Sequence, residues 1–365
     1  MARGWAPFLL SLDDAELATI ESRGHAARWP ERTPGDLRSL VERAALACAL
    51  PVLITVGAER APKRRETRRK RAQIDAFRSV VQPLAARSTR VVDVGSGHGH
   101  LTREIAVETG LPVVGLERDA ALAVRARTLS VGPSSPAFAV TDVLRDGLSL
   151  AAGDCVIGLH ACGELGDVMV TSVARAAKVG AVALVLVGCC LQKRRQMSRA
   201  PLSTGPDDGG RLELPRSLLG LSNLAPGEEG VEASRVENLA GRERRLALHR
   251  LLSQDGPPLR FGAEIVGLNR RMAQRDLSLL VARAFELRGR PVPAKAAIDE
   301  AAAWAREAHA RARRLSLPRA MLARALEVYV LLDRAAYLEQ HGLSVAVGEL
   351  FPATVSARNL ALVAS

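Results

Sequence analysis

One segment concentrates residue types able to do chemistry: Val91-Val92-Asp93-Val94-Gly95-Ser96-Gly97-His98-Gly99-His100-Leu101. An apolar run carries one acid and then breaks into three alternating glycines. Glycine tolerates positive φ and lets a ligand approach the backbone, and a helix opening after such a turn offers free N–H groups. Two ligand types use loops of this kind. A dinucleotide site wants G-x-G-x-x-G. Counted from Gly95, its third glycine would fall at position 100, which is His100, whereas the glycine stands at 99. The spacing D-x-G-x-G-x-G suits S-adenosylmethionine instead, which lacks a pyrophosphate and whose amino acid end is compatible with Asp93.

Two further acids stand where that ligand needs them. Glu117 ends the run Pro-Val-Val-Gly-Leu-Glu, about 20 residues after the loop, where a carboxylate accepts both ribose hydroxyls. Asp142, in Val140-Thr141-Asp142-Val143, ends the next run and can meet the adenine amino group. The plainer reading makes Glu117 and Asp142 helix caps. Farther along, apolar runs give way to Gly158-Leu159-His160-Ala161-Cys162-Gly163 and to Val187-Gly188-Cys189-Cys190-Leu191-Gln192-Lys193. Reactive side chains directly after strands point to a site, because open parallel sheets bind ligands beyond their carboxyl ends.

The elements that must position these residues can be read from periodicity. Val91–Val94, Pro112–Leu116, Ala137–Val140, Cys155–Leu159 and Ala181–Val187 read as buried strands alternating with helical segments, the pattern of a parallel sheet covered on both faces. Ahead of them the spacing predicts helices opening near Ser11 and over Thr33–Leu50 and Ala72–Ala86. Behind them come a Gly/Pro-rich stretch and helices over Val231–Leu252, Met272–Arg288, Ala294–Leu315 and Pro318–Gln340. Two last runs, Ser344–Leu350 and Asn359–Ala364, complete the sheet.

The chain has 365 residues, 48% hydrophobic and 25% charged, which suits a globular protein and excludes a mainly disordered one. Ala181–Leu191, the longest apolar run, is far short of the ~20 residues of a membrane helix. With no secretory leader pattern, a cytoplasmic protein without membrane contact is expected. Five cysteines with no C-x-x-C pair suggest reduced thiols and no metal site of standard spacing. Net charge is +12, which favours an anionic partner such as RNA. The segment 59–71 holds eight Arg or Lys against two Glu and so supplies half of that excess. Arg64, Arg65, Arg68, Arg69, Lys70 and Arg71 are the expected phosphate contacts, against the blander reading of an Arg-rich solvated surface. Aromatic residues make up only 3%, too few for a base-stacking platform.

GSGHGHL (Gly95–Leu101), GLHACGEL (Gly158–Leu165) and GCC (Gly188–Cys190), in that order, resemble the methyltransferase-like 25 family, the ribosomal RNA adenine dimethylase domain-containing proteins. ALEVYVLLDRAAYL (Ala325–Leu338) and VSARN (Val355–Asn359) look like that family's ending, and Lys70-Arg71-Ala72-Gln73 like its lysine-rich helix. The HACG and double-cysteine motifs are also similar to acceptor-stem tRNA 2′-O-methyltransferases. His98 departs from the family's Lys, and Ala357 from its Pro. The resemblance implies an α/β, class I methyltransferase (Rossmann-like) sheet binding S-adenosylmethionine through Asp93, Gly95, Gly97, Gly99 and Glu117, and Ser96 in the same loop is a further cofactor candidate. Residues 72–195 and 341–365 would form that domain, 1–71 an N-terminal helical region, and 196–340 a mostly helical insertion reaching the substrate.

The acceptor decides which side chains are catalytic. A ribose hydroxyl needs a base, for which His160 is the candidate because its ordinary pKa lies near working pH. A cytosine carbon needs a thiolate, for which Cys162 and Cys189 follow the appropriate strands, although the usual preceding proline is missing. Alternatively His160 buttresses the cofactor pocket and Cys189 and Cys190 only shape it. An RNA methyltransferase is the leading reading. A methyltransferase acting on a ribosome-associated or acidic protein, a non-catalytic S-adenosylmethionine-binding protein and a nicotinamide oxidoreductase are its rivals.

Overall fold

A computed structural model describes residues 4–53, 67–132, 135–205, 212–224, 232–254, 259–269, 272 and 276–365. Seven strands form one sheet: β1 (Arg90–Val94), β2 (Val113–Glu117), β3 (Ala137–Val140), β4 (Asp154–Cys162), β5 (Ala183–Cys189), β6 (Val345–Glu349) and β7 (Leu360–Ala364). Their order is β3-β2-β1-β4-β5-β7-β6, parallel throughout except that β7 runs antiparallel to both neighbours.

The unbroken apolar runs follow from burial of both faces. Val92, Val94, Val156, Leu184 and Leu186 pack on one side with Met169, Val170 and Val173 from the Glu164–Ala176 helix. Their strand neighbours Val91, Cys155, Ile157, Val185 and Val187 pack on the other with Ile74, Phe77, Val81 and Ile105. Each such side chain contributes roughly 1.5–3 kcal/mol on burial, so alternate residues drive opposite helix layers onto the sheet.

The chain divides into a unit of residues 1–22, 27–38 and 228–318 and a second of 23–26, 39–227 and 319–365. These limits differ from the expected 1–71, 72–195 with 341–365, and 196–340. The sheet unit keeps 196–227 because the Ser198–Arg199 and Leu214–Pro215 strands form a ribbon there, and because Arg199 is clamped to Asp167 and Asp333. In the other unit, Leu248, Leu251, Leu280, Val281, Phe285, Ile298 and Ala305 form a separate helical core. Arg313 pairs with Glu21 and Arg314 with Asp14 in the same unit. The helix expected near Ser11 is Asp14–Arg23, preceded by a short helix Ala6–Leu10; its capping residue is Asp13, whose carboxylate and amide bond reciprocally with Glu16.

Two boundaries differ from the periodicity for physical reasons. The helices expected on either side of Pro318 are a single helix, Lys295–Glu339. The proline removes one backbone bond at about 3 kcal/mol, and long helical flanks on both sides outweigh it. β4 and β5 run on to Cys162 and Cys189, because Ala161 pairs with Gly188 and Cys162 with Cys189 after a bulge at His160. Among the described residues no helix is long and apolar enough to cross a membrane.

Candidate functional site

At the carboxyl end of β1 the loop turns through Gly95, Gly97 and Gly99, all with positive φ (77°, 55° and 71°). The amides of Gly95 and Ser96 donate to the Leu116 carbonyl, which ties the loop to β2. Glu117 fixes it further. One carboxylate oxygen accepts the Gly97 N–H at 2.9 Å and the other the Asp119 N–H at 3.0 Å. Each oxygen keeps a second lone pair for a ligand hydroxyl. Glu117 is thus a strut of the loop as well as a ligand candidate, and it is no helix cap.

Gly99 serves packing. A Cβ there would stand 2.5 Å from the Phe138 ring, so this glycine admits an aromatic from β3 rather than a ligand. At Gly97 a Cβ would meet nothing within 4 Å, and at Gly95 only Leu165 at 3.9 Å, so the open side of the loop is at these two.

Asp93 is 2% exposed and accepts the Thr102 hydroxyl at 2.6 Å. Burial pushes its carboxyl up to about 6, against the pull of Thr102 and Lys70. Asp142 does cap: it accepts the Leu144 N–H at 3.1 Å, and its other oxygen lies 3.6 Å from Arg195.

His160 occupies the β4 bulge with φ 68°. Its Nε2 lies 3.3 Å from Gln73 Oε1, a partner to which the sequence alone assigns no role although it sits in the Lys70-Arg71-Ala72-Gln73 motif. Burial, reinforced by Lys70, Arg69 and Arg358, pushes the imidazole down to about 4. That corrects the expectation of a pKa near working pH, because composition gives no hint of three cations around a buried ring.

Cys162 and Cys189 meet at 3.0 Å between Sγ atoms, and Cys189 Sγ also lies 3.2 Å from the His160 carbonyl. The hydrogen bond from Cys189, then Lys193, Cys190 and Arg118, lower the Cys162 thiol to about 6 despite burial, whereas Cys189 is pushed up as the proton-holding partner. Cys190 is half-buried beside them. Lys193 Nζ stands 4.0 Å from Cys162 Sγ.

The turns after β4 and β5 are knitted together. Gly163 N–H donates to the Cys189 carbonyl, Glu164 N–H to that of Lys193, and Lys193 N–H to that of Cys190. Gly163 has φ 53°, and a Cβ there would strike the Lys193 carbonyl oxygen at 2.1 Å, so only glycine fits. Behind this turn Arg334 donates to the Gly163 carbonyl at 3.0 Å and to Asp167 at 2.9 Å.

Of the expected phosphate contacts, Arg64 and Arg65 lie outside the described residues. Arg68, Arg69 and Lys70 lie on the first turn of the Arg68–Ala85 helix, with Arg68 and Arg69 exposed. Arg71 is a correction. It is 2% exposed, bonded to Asp75 and 3.5 Å from Glu104, which makes it a buried fastener of two helices.

The strand order, the reversed β7, the glycine loop and the acid closing β2 define a Rossmann-like, S-adenosylmethionine-dependent methyltransferase domain. Residues 69–197 match the family model for a methyltransferase domain. Three solved structures illustrate the likeness. A TehB-like SAM-dependent methyltransferase from Corynebacterium glutamicum shares 16% identity over 38% of this chain and 85% of that one, TM-score 0.26. Magnesium protoporphyrin IX methyltransferase from Synechocystis, with bound SAM, shares 19% over 32% and 60%, TM-score 0.25. The sugar N-methyltransferase KedS8 from Streptoalloteichus shares 18% over 37% and 60%, TM-score 0.26. The match spans less than two thirds of the latter two chains.

The residues present fit S-adenosylmethionine. Ser96 Oγ is buried in the glycine loop with no protein hydrogen-bond partner, and the loop is open beside Gly95 and Gly97. Glu117, at the end of β2, still has acceptor capacity.

Proposed function

We propose that the domain methylates RNA and that the chain is a relative of the methyltransferase-like 25 family. The supporting observation is the set of cations gathered where β1, β4 and β5 end. Arg69, Lys70 and Arg358 lie close enough to His160 to act on its charge, and Lys193 and Arg118 do the same to Cys162. Arg69 also reaches Ser356 Oγ at 3.3 Å, which brings the basic helix beside the Val355–Asn359 motif. Arg358 is itself paired with Glu327 at 2.9 Å; the other cations around the site suit a polyanion, and phosphate contacts give position and affinity without base stacking.

When bound, S-adenosylmethionine supplies an electrophilic methyl group on its sulfonium. The chain's contribution is positioning, which governs an in-line displacement. Glu117 would hold the ribose hydroxyls, Asp142 the adenine amino group, and Asp93 with the Gly95–Gly99 loop the amino acid end. His160, braced by Gln73, faces the acceptor side, as do the cysteines.

The test is incubation with methyl-labelled S-adenosylmethionine, total RNA and cell lysate, followed by split digestion. Label removed by RNase is expected. Label removed by protease, or confined to small molecules, overturns the reading. Replacing Arg68 and Arg69 by Gln should also flatten the salt dependence of RNA binding, by about 0.7 in log–log slope for each single-strand phosphate no longer neutralised.

A further inference from the structure

Three thiols converge where β4 and β5 end. Cys162 and Cys189 are cross-strand partners, and their sulfurs stand 3.0 Å apart. On a regular strand Cys190 would face away from Cys189. The backbone at Cys190 turns left-handed instead, φ 44°, and its sulfur joins the other two in a cluster whose donor atoms all lie within 4.8 Å of one another. Among the described residues, only His160 and Cys190 are non-glycine residues with positive φ. Such a conformation is unfavourable for a residue with a Cβ, and at Cys190 it accompanies the gathering of three soft ligands.

We propose that Cys162, Cys189 and Cys190 form a binding site for one soft d10 cation, with Zn2+ as its representative. Zinc–sulfur bonds of about 2.3 Å in tetrahedral geometry place sulfurs roughly 3.8 Å apart. The Cys162–Cys189 pair opens by less than about 1 Å to meet that value, and no separation within the cluster has to close by more than about 1 Å, within the reach of small χ rotations. On binding, each sulfur gives a lone pair to the cation and any thiol proton leaves to solvent. Three thiolates and a divalent cation leave one negative charge, and Lys193, 4.0 Å from Cys162, stands ready to balance it. Three protein ligands leave a fourth position for water or a substrate atom, as catalytic zinc sites do. The ligands lie 27 residues apart in sequence (Cys162 to Cys189), so no finger-like spacing advertises them. This inference concerns the metal alone and does not depend on RNA being the acceptor.

The test uses the reduced full-length protein titrated with Co2+, which takes the same tetrahedral thiolate coordination. Binding of one equivalent is expected, with a thiolate-to-cobalt charge-transfer band that Zn2+ abolishes. Cys190→Ser should weaken binding at least ten-fold with circular dichroism unchanged, and Cys162→Ser/Cys189→Ser should remove the band. Cys48→Ser, outside the cluster, should keep it. No band in the reduced protein, or a band that survives Cys162→Ser/Cys189→Ser, overturns the proposal.

Discussion

Asp93→Asn probes the loop where its electrostatics are most costly. The carboxyl is 2% exposed and holds one hydroxyl bond, from Thr102. Burial raises it from 3.8 to about 6, Glu117 adds to the rise, and Thr102 and Lys70 hold it back. At 1.36 kcal/mol per pH unit that displacement is worth roughly 3 kcal/mol. The folded chain therefore binds this proton more tightly than the unfolded one. The stability it contributes is complete below about pH 4 and is lost as pH rises through about 6. Asparagine keeps the shape and an acceptor for Thr102 but carries no charge. Cofactor-free wild type and Asp93→Asn, compared by urea denaturation, should match near pH 4, and the variant should be more stable by up to about 3 kcal/mol near pH 8. S-adenosylmethionine affinity, measured by calorimetry near pH 8, should fall at least ten-fold, because the carboxylate proposed to meet the ligand's ammonium is gone. A stability difference flat across that pH range refutes the burial argument, and unchanged affinity refutes the ligand contact.

Glu117→Gln turns one carboxylate oxygen into an NH2 group facing a backbone N–H, either that of Gly97 or that of Asp119. An unmade bond of this kind costs about 1–3 kcal/mol, so calorimetry should show cofactor binding weakened by about 10- to 100-fold, with the fold retained. Arg334→Met removes a buried cation, 3% exposed, from Asp167 and from the Gly163 carbonyl. Breaking a buried pair typically costs 3–5 kcal/mol; a destabilisation under about 1 kcal/mol in chemical denaturation would show that Arg199 and Arg194 hold Asp167 without it.

The strands β1 to β5 were legible because a sheet buried on both faces leaves no polar alternation to confuse the reading. Their far ends were not. His160 and Cys162 interrupt the apolar pattern, yet β4 continues through them, because a bulge restores pairing with β5. Sequence spacing could not bring Cys162 to Cys189, since their meeting depends on which strands are neighbours. Arg71 shows the limit of counting charge: in composition it adds to the basic run, and in space Asp75 and Glu104 neutralise it inside the fold. The glycine loop was the most readable part, because its glycines, Asp93 and Glu117 lie on two consecutive strand ends.

The far C-terminal motif shows why residues remote in sequence belong to the site. Asp333 accepts from Arg199 and from the amides of Leu202 and Ser203, which pins the chain leaving β5. Its neighbour Arg334 reaches the Gly163 carbonyl and Asp167. Burial alone would raise the Asp167 carboxyl, and the guanidinium groups of Arg334 and Arg199 hold it below the usual range. Adjacent residues of one helix therefore brace the turn after β4 and the chain that leaves β5, next to His160, Cys162 and Cys189. A turn that must keep glycine at 163, with no room for a Cβ, cannot rely on its own side chain for rigidity. Its geometry has to be imposed from behind, and Asp333 and Arg334 do that from the part of the Lys295–Glu339 helix that belongs to the sheet unit.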